Sequence, residues 1–386
     1  MIQNRETKTM REEQTFAQDC AEILREDLVA GRIDRRTFMK GLVALGLTPA
    51  VLGGSAALSR AVQAQATKPK EVVLANFGGD AVPAFTDAFA KPFEAKEAVK
   101  LVIDGSGPTT GKIKAMVDAK KVIWDVIDSG TGQAAQLGEA GYLEPIDYSI
   151  VDKTKLDPEF AYKWGVINYY FSTVLAWDST KVQGTPTWAD FFDTKKIPGK
   201  RMFRRTGLAM LEPALMADGV APDKLYPIDQ KRAMAKIASI KADALYWNSG
   251  AESQQLMRTG ECVMGILWHT RANILERDSN GRIKWTFNQG IVQPGIWIVP
   301  KNPPAGSAWA HKAINAMQDP AGQVLLLERM GNGPANPAAS ALVKPEFAKV
   351  NPSSPENLAK QVKFGGEWWM ANQDQLTQAF LDMISS

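Results

Sequence analysis

From Glu71 onward the chain alternates short apolar runs with segments of helical spacing. The run 71–76 (EVVLAN) is β-rich and stops at Gly78-Gly79, and 83–97 then carries Phe85, Phe89 and Phe93 four residues apart. The pattern predicts strand, glycine loop and helix, with Pro92 placed to kink the helix. Further strands are expected at 99–103 and 122–127, and helices at 111–119 and 133–139. Strands alternating with helices imply a parallel sheet covered on both faces.

The pattern changes at 167–178, where INYYFSTVLAWD reads as one extended segment suited to crossing between two lobes. A second set of α/β units follows: a helix at 187–192, a strand starting in 199–204, helices at 212–217, 228–240 and 251–259, and a strand at 263–268. The apolar run 291–300 (IVQPGIWIVP) is suited to crossing back, ahead of helices at 308–317 and 320–330 and a helical ending over 356–384. The expected division is a first lobe begun by 67–174, a second lobe at 175–292, a return to the first at 293–340, and C-terminal helices at 341–386 packing on the lobes. No internal repeat is visible.

The segment before Glu71 reads as an address rather than as part of this fold. Arg35 and Arg36 are followed by Phe38, Lys40, a weakly apolar stretch over 41–58, and the small residues Ala61, Ala64 and Ala66. This resembles a twin-arginine export signal spanning residues 1–66 and removed after Ala64 or Ala66. A retained membrane anchor is the alternative, but Pro49, Gly53, Gly54, Ser59 and Arg60 interrupt the run and make it poor at filling a bilayer. The expected location is the periplasm.

Removing the leader leaves about 320 residues, enough for two lobes with separate cores. Net charge is +3 with no basic stripe in the remaining chain, which gives no reason to expect nucleic acid as a partner. Cys20 lies in the leader, so Cys262 is left without an internal disulfide partner, and its setting ECVMGILW reads as a buried strand. His269 and His311 are the only histidines, and neither CxxC nor HExxH occurs. Neither a metal site nor a Cys-His couple is expected, and no cofactor is implied.

Two glycine-rich loops invite nucleotide readings that do not hold. Gly130-Thr131-Gly132-Gln133-Ala134-Ala135 fits the dinucleotide fingerprint only loosely, since a small-residue loop ends any parallel strand. The loop 105–112 (GSGPTTGK) has the wrong spacing for a phosphate loop, and Ile113 stands where a Ser or Thr would hold magnesium. Asp125 is expected within the third strand and Asp128 just past its end, which suits a turn, a backbone contact or a ligand contact better than acid-base chemistry. Trp247, Trp268 and Trp297 fall at strand ends or crossings, where a ligand cleft would find its aromatic walls.

The span 125–147, DVIDSGTGQAAQLGEAGYLEPID, resembles the corresponding segment of the periplasmic spermidine/putrescine-binding protein family. So do Asn76-Phe77-Gly78-Gly79-Asp80, Thr187-Trp188-Ala189-Asp190-Phe191-Phe192 and the stretch 260–268 (GECVMGILW), in the same order over nearly all of the chain after the leader. The resemblance implies an α/β, two-lobed periplasmic binding protein fold of type II. It also implies a monomer that closes on a small-molecule solute and delivers it to the permease of an ABC importer, not an enzyme.

In that family carboxylates hold the amines, and here the matching positions differ. The loop expected to supply acids falls on Arg204-Arg205-Thr206-Gly207-Leu208-Ala209, the Trp-x-Asp of the crossing strand falls near Gln293, and the aromatic after the third strand falls on Gly132; Trp268 and Ser249 keep their character. Arg204, Arg205 and Arg271 offer forked donors to an anion, with a solvated basic turn as the alternative for the first two. Asp80 and Asp128 would meet an amine. With Phe77, Gly78, Ser106, Ser129, Trp247 and Gln293 these form the expected ligand site. The expected solute is a small organic anion or an amino-acid-like zwitterion; a polyamine is the alternative, and an exported enzyme or a sensor using the same cleft are the alternatives of other classes.

Overall fold

A computed structural model describes residues 68–385 continuously, together with 23, 24, 27, 28, 32, 33, 37, 38 and 40. Arg35, Arg36 and the apolar stretch of the leader lie outside the described residues. Among the described residues no helix is long and apolar enough to cross a membrane. The chain from Pro69 onward forms a compact unit by itself.

That unit is organised by two long strands, β5 (Val166–Asp178, 13 residues) and β9 (Ile283–Pro300, 18 residues). They pair antiparallel from Val166↔Trp297 to Asp178↔Ile283, with register shifts between Ile167 and Tyr170 and between Thr173 and Leu175. At one end β9 adds to the parallel set β2 (Lys100–Asp104), β1 (Glu71–Ala75) and β3 (Val126–Gly130). At the other end β5 adds to β8 (Met264–Trp268), β6 (Arg201–Arg204) and β7 (Ala244–Trp247), while the two-residue strands β4 (Leu143–Glu144) and β10 (Gly333–Pro334) pair with β9 and β5 respectively. Each half therefore repeats one plan: a central first strand, its successor at the edge, the third strand inside, then a crossing strand. A strand of 13 residues reaches roughly 40 Å, enough to serve two cores.

Those cores are separate. Val72, Leu74, Phe85, Phe89, Phe93, Val126 and Trp297 pack in the first lobe, and Phe191, Phe203, Leu211, Met264, Ile266, Trp369 and Phe380 in the second. The crossing strands are buried along nearly all of their first-lobe and central portions, which explains why their sequence is apolar without clean alternation.

Three expectations need adjusting. The third strand runs Val126–Gly130, not 122–127, because the approach to it is held mostly by side chains: Trp124 Nε1 donates to Asp104 (2.6 Å), and the Asp125 carboxylate accepts from the Val73 and Ala305 amides, beside one backbone bond from the Asp125 amide to the Val73 carbonyl (2.8 Å). Asp125 thus precedes the strand and Asp128 lies inside it. The helical run around Pro92 restarts rather than kinks, with a π-helical stretch Thr86–Ala90 ahead of Lys91–Glu97, so the proline sits in a first turn where its missing N–H costs little. The ending divides into helix Pro355–Leu358, strand β11 (Val362–Lys363) on β9, and helix Gly366–Ser385. Gly365 marks the break, lying so close to Tyr226 that a Cβ there would sit 2.5 Å from its ring.

Candidate functional site

Parallel strands of each lobe end at the cleft, so the loops that follow them face one another across it. From the first lobe, Gly78 follows β1 with φ +72° and its would-be Cβ 2.5 Å from the Gly105 carbonyl, a turn only glycine can make. It places Phe77 on the wall of a cavity of about 290 Å³. The end of β3 contributes Asp128 and Ser129, and the crossing strands contribute Tyr169, Phe171, Gln293 and Pro294. The second lobe contributes Arg204 from the end of β6, Trp268 from the end of β8, and Arg271.

Arg204 is half-buried, and its guanidinium carbon lies 4.9 Å from the Trp268 ring centre, 5.8 Å from Trp247 and 6.0 Å from Phe77. Burial lowers its pKa to about 10, which leaves it charged at neutral pH. Among the described residues the guanidinium has neither an ion pair nor a hydrogen bond. Aromatic faces stabilise the cation but leave its in-plane N–H groups available, the geometry in which arginine receives a carboxylate.

Asp128 faces the cavity from the first lobe and is 2 % exposed. Tyr169 donates its hydroxyl to one carboxylate oxygen (2.6 Å) and Asn168 donates Nδ2–H to the other (3.0 Å). Burial pushes the carboxyl up to about 7, against the pull of these two donors and the Arg271 charge. Tyr169 in turn is held well above its ordinary pKa by burial and by Asp128.

Arg271 sits in the first turn of helix His269–Asp278. It reaches across the cleft, donating Nη2–H to the Gly78 carbonyl (2.8 Å), while Nε and Nη1 are buried without a protein partner. Burial lowers its pKa, partly offset by Asp80, Tyr169 and Asp128. Gln254 Nε2 adds a second tie between the lobes by donating to Asp80 (2.8 Å), and Phe77 packs edge-on against Trp268 with centroids 5.3 Å apart.

Phe77, Asp128, Ser129, Arg204, Trp268, Arg271 and Gln293 are thus brought to one cavity, and the remaining expected residues are not on its wall. Gly78 supports it through its carbonyl. Asp80 is turned to Gln254 instead. Ser106 sits exposed in the loop where its carbonyl accepts from Lys112 Nζ, because Asp104 folds that loop outward by taking the Ser106 amide. Arg205, in the bend just past the end of β6, is exposed. Trp247 stands behind Trp268 with its N–H bound to the Ile266 carbonyl, and Ser249 caps helix Gly250–Arg258. Trp297 is core, packed against Phe85 and Tyr169.

Sequence reasoning missed Tyr169 and Phe171, although their i, i+2 spacing on a crossing strand was a usable signal. It also missed Thr131, Asn332, Phe364, Gln373 and Thr377, which also line the cavity. Cys262 is buried, and its thiol is pushed up to about 12, mainly by burial, as suits a packed side chain. Among the described residues no group of three or more His, Cys, Asp or Glu could hold a metal ion.

Two lobes joined by crossing strands around a polar and aromatic cleft define a solute-binding architecture. The chain belongs to the bacterial extracellular solute-binding protein family, whose model matches residues 88–360. A gamma-aminobutyric acid-binding protein of Pseudomonas aeruginosa is 30% identical over 331 residues, covering 84% of this chain and 93% of that protein. A solved GABA receptor is 35% identical with TM-score 0.71, covering 81% of this chain and 97% of its own. The binding protein AgtB of A. tumefaciens R10, solved with agropinic acid, is 32% identical with TM-score 0.77 over 82% of this chain and 99% of its own. The spermidine/putrescine-binding PotD of Streptococcus pneumoniae, at 15% identity and TM-score 0.60, shares the fold.

Proposed function

We propose that this protein captures an amino-acid-like zwitterion of the GABA class in the periplasm and hands it to an ABC importer. The observation that carries the reading is Arg204: a charged guanidinium held among three aromatic rings at the cavity, with no anionic partner among the described residues. A buried cation is costly unless paired, and a solute carboxylate supplies the pair. Asp128, on the opposite lobe, would take the ammonium group, and Phe77, Phe171 and Trp268 would pack against the methylene chain. The ligands named for the P. aeruginosa and GABA-receptor relatives support this class of solute. A polyamine dication would meet Arg204 and Arg271 inside the same poorly solvated cavity, where like charges repel. Bringing both ends of a zwitterion to opposite lobes favours the closed form by the added contacts, and closure is what an importer reads. The work is capture and release rather than bond making.

A thermal-shift panel tests the ligand class. GABA and related amino acids should raise the melting temperature by several degrees at about 100 times their Kd, a stabilisation of about 2.7 kcal/mol. Putrescine and spermidine should leave it unchanged. Stabilisation by the polyamines alone would refute the zwitterion reading.

The family supports an extracellular location, and Arg35-Arg36 supports the twin-arginine route to it. With both arginines replaced by lysine, most of the protein should stay in the cytoplasmic fraction. Undiminished periplasmic recovery would mean that another route carries it.

A further inference from the structure

The last helix, Gly366–Ser385, packs on both lobes: Trp369, Leu376 and Phe380 are buried in the core of the second, where Trp369 Nε1 donates to the buried Glu212 (2.6 Å), and its other side lies against helix Thr131–Glu139 of the first, where Gln136 Nε2 donates to Asp374. Gln373 and Thr377 lie four and eight residues beyond Trp369, beside that apolar stripe, yet both are polar and both line the solute cavity. Thr377 lies 3.5 Å from Thr206, in the loop that follows Arg204. Gln373 reaches the other way, to the first lobe. Its Oε1 occupies the space a side chain at Gly132 would fill, since a Cβ there would sit 2.1 Å from that oxygen. The Gln373 carboxamide has no hydrogen bond among the described residues. Beside Gly132, Thr131 is 6 % exposed and lines the same cavity, and its hydroxyl has no partner either.

Polar groups on the flank of a buried stripe are expected to find partners, and two such groups from different lobes converge here on the cavity. We propose that Gln373, with Thr131 nearby on the opposite lobe, hydrogen-bonds the captured solute, so that the C-terminal helix is a third wall of the receptor. The proposal rests on the zwitterion reading of the cavity and adds a contact from a segment that lies far outside the crossing strands. It also assigns a purpose to Gly132: the missing side chain admits Gln373.

Calorimetric titration with GABA tests it on the full chain. Gln373→Ala should weaken binding about tenfold, and Thr131→Val severalfold, with the ligand-free melting temperature unchanged because neither side chain has a protein partner to lose. Gly132→Ala should cost about as much as Gln373→Ala by displacing the carboxamide, and the double variant should lose no more than either alone. Gln373→Ala binding within twofold of the wild type, or losses that simply add, would overturn the proposal while leaving the zwitterion reading intact. A wild type that fails to bind GABA or any amino acid would overturn that reading and this proposal with it.

Discussion

Arg204→Ala is expected to weaken GABA binding by two to three orders of magnitude without destabilising the ligand-free protein. A charge-assisted hydrogen bond contributes about 1.5–3 kcal/mol, and a forked pair supplies two, so the loss is about 3–4 kcal/mol. The free protein gains no such bond from Arg204, whose guanidinium lies among Trp268, Trp247 and Phe77 with a pKa lowered by burial to about 10. Its removal therefore relieves a desolvated charge, offsetting the lost cation–π contacts of about 1–2 kcal/mol. Arg204→Lys separates charge from geometry: it should recover part of the affinity, because the cation remains, but not the part that depends on two parallel donors. Calorimetry and thermal melting on the three proteins decide the matter. An Arg204→Ala protein that binds within tenfold of the wild type would place the carboxylate elsewhere.

The second large effect is a pH dependence set by Asp128. Its free-protein pKa is raised to about 7, first by burial, while Tyr169, Asn168 and the Arg271 charge pull it down. An incoming ammonium would lower it further, so binding releases the proton that Asp128 holds below that pH. Affinity for GABA should then be steady above pH 7 and fall below it, about thirtyfold by pH 5.5 if the bound-state pKa lies lower still. The sign reverses for butyrate, which lacks the amine: a neutral Asp128 repels it less, so its affinity should fall as pH rises through 7. Asp128→Asn should bind GABA at least tenfold more weakly at pH 8 and with a flat profile. The free protein carries the same linkage in its stability. A carboxyl raised in the folded state contributes fully below its unfolded pKa, and the contribution is lost as pH rises through about 7. A GABA affinity unchanged between pH 8 and 5.5 would remove Asp128 from the amine site.

Elements whose pattern answers to local packing were legible. The strand expected at 71–76 runs Glu71–Ala75, and the crossing segment expected at 167–178 runs Val166–Asp178, because burial on both faces imposes a continuous apolar run. The third strand was misplaced by several residues because Trp124 and Asp125 are fixed by hydrogen bonds to Asp104, Val73 and Ala305, which lie 20 to 180 residues away. Reading the ending over 356–384 as helical throughout was an error of the same kind, since Val362 and Lys363 pair with β9 and leave the helical pattern that surrounds them.

The site divides in the same way. That loops after parallel strands would face a cleft followed from the α/β pattern, but Phe77, Asp128, Ser129, Trp268 and Arg204 were matched to that cleft through the resemblance to the polyamine-binding family. Within those loops, neighbours that composition could not separate point to different places: Arg204 to the cavity and Arg205 to solvent, Trp268 to the wall and Trp247 behind it. Gln373 was beyond reach, as nothing in a polar residue of an amphipathic helix announces what it will oppose.

By itself the sequence determined the two-lobed α/β plan and the crossing strands, because each is written in the local pattern of apolar positions. Only the tertiary structure decided which charges are left without partners. Pairing is a property of distances between distant segments: Asp80 finds Gln254, Arg271 reaches Gly78, and Arg204 finds only aromatic faces.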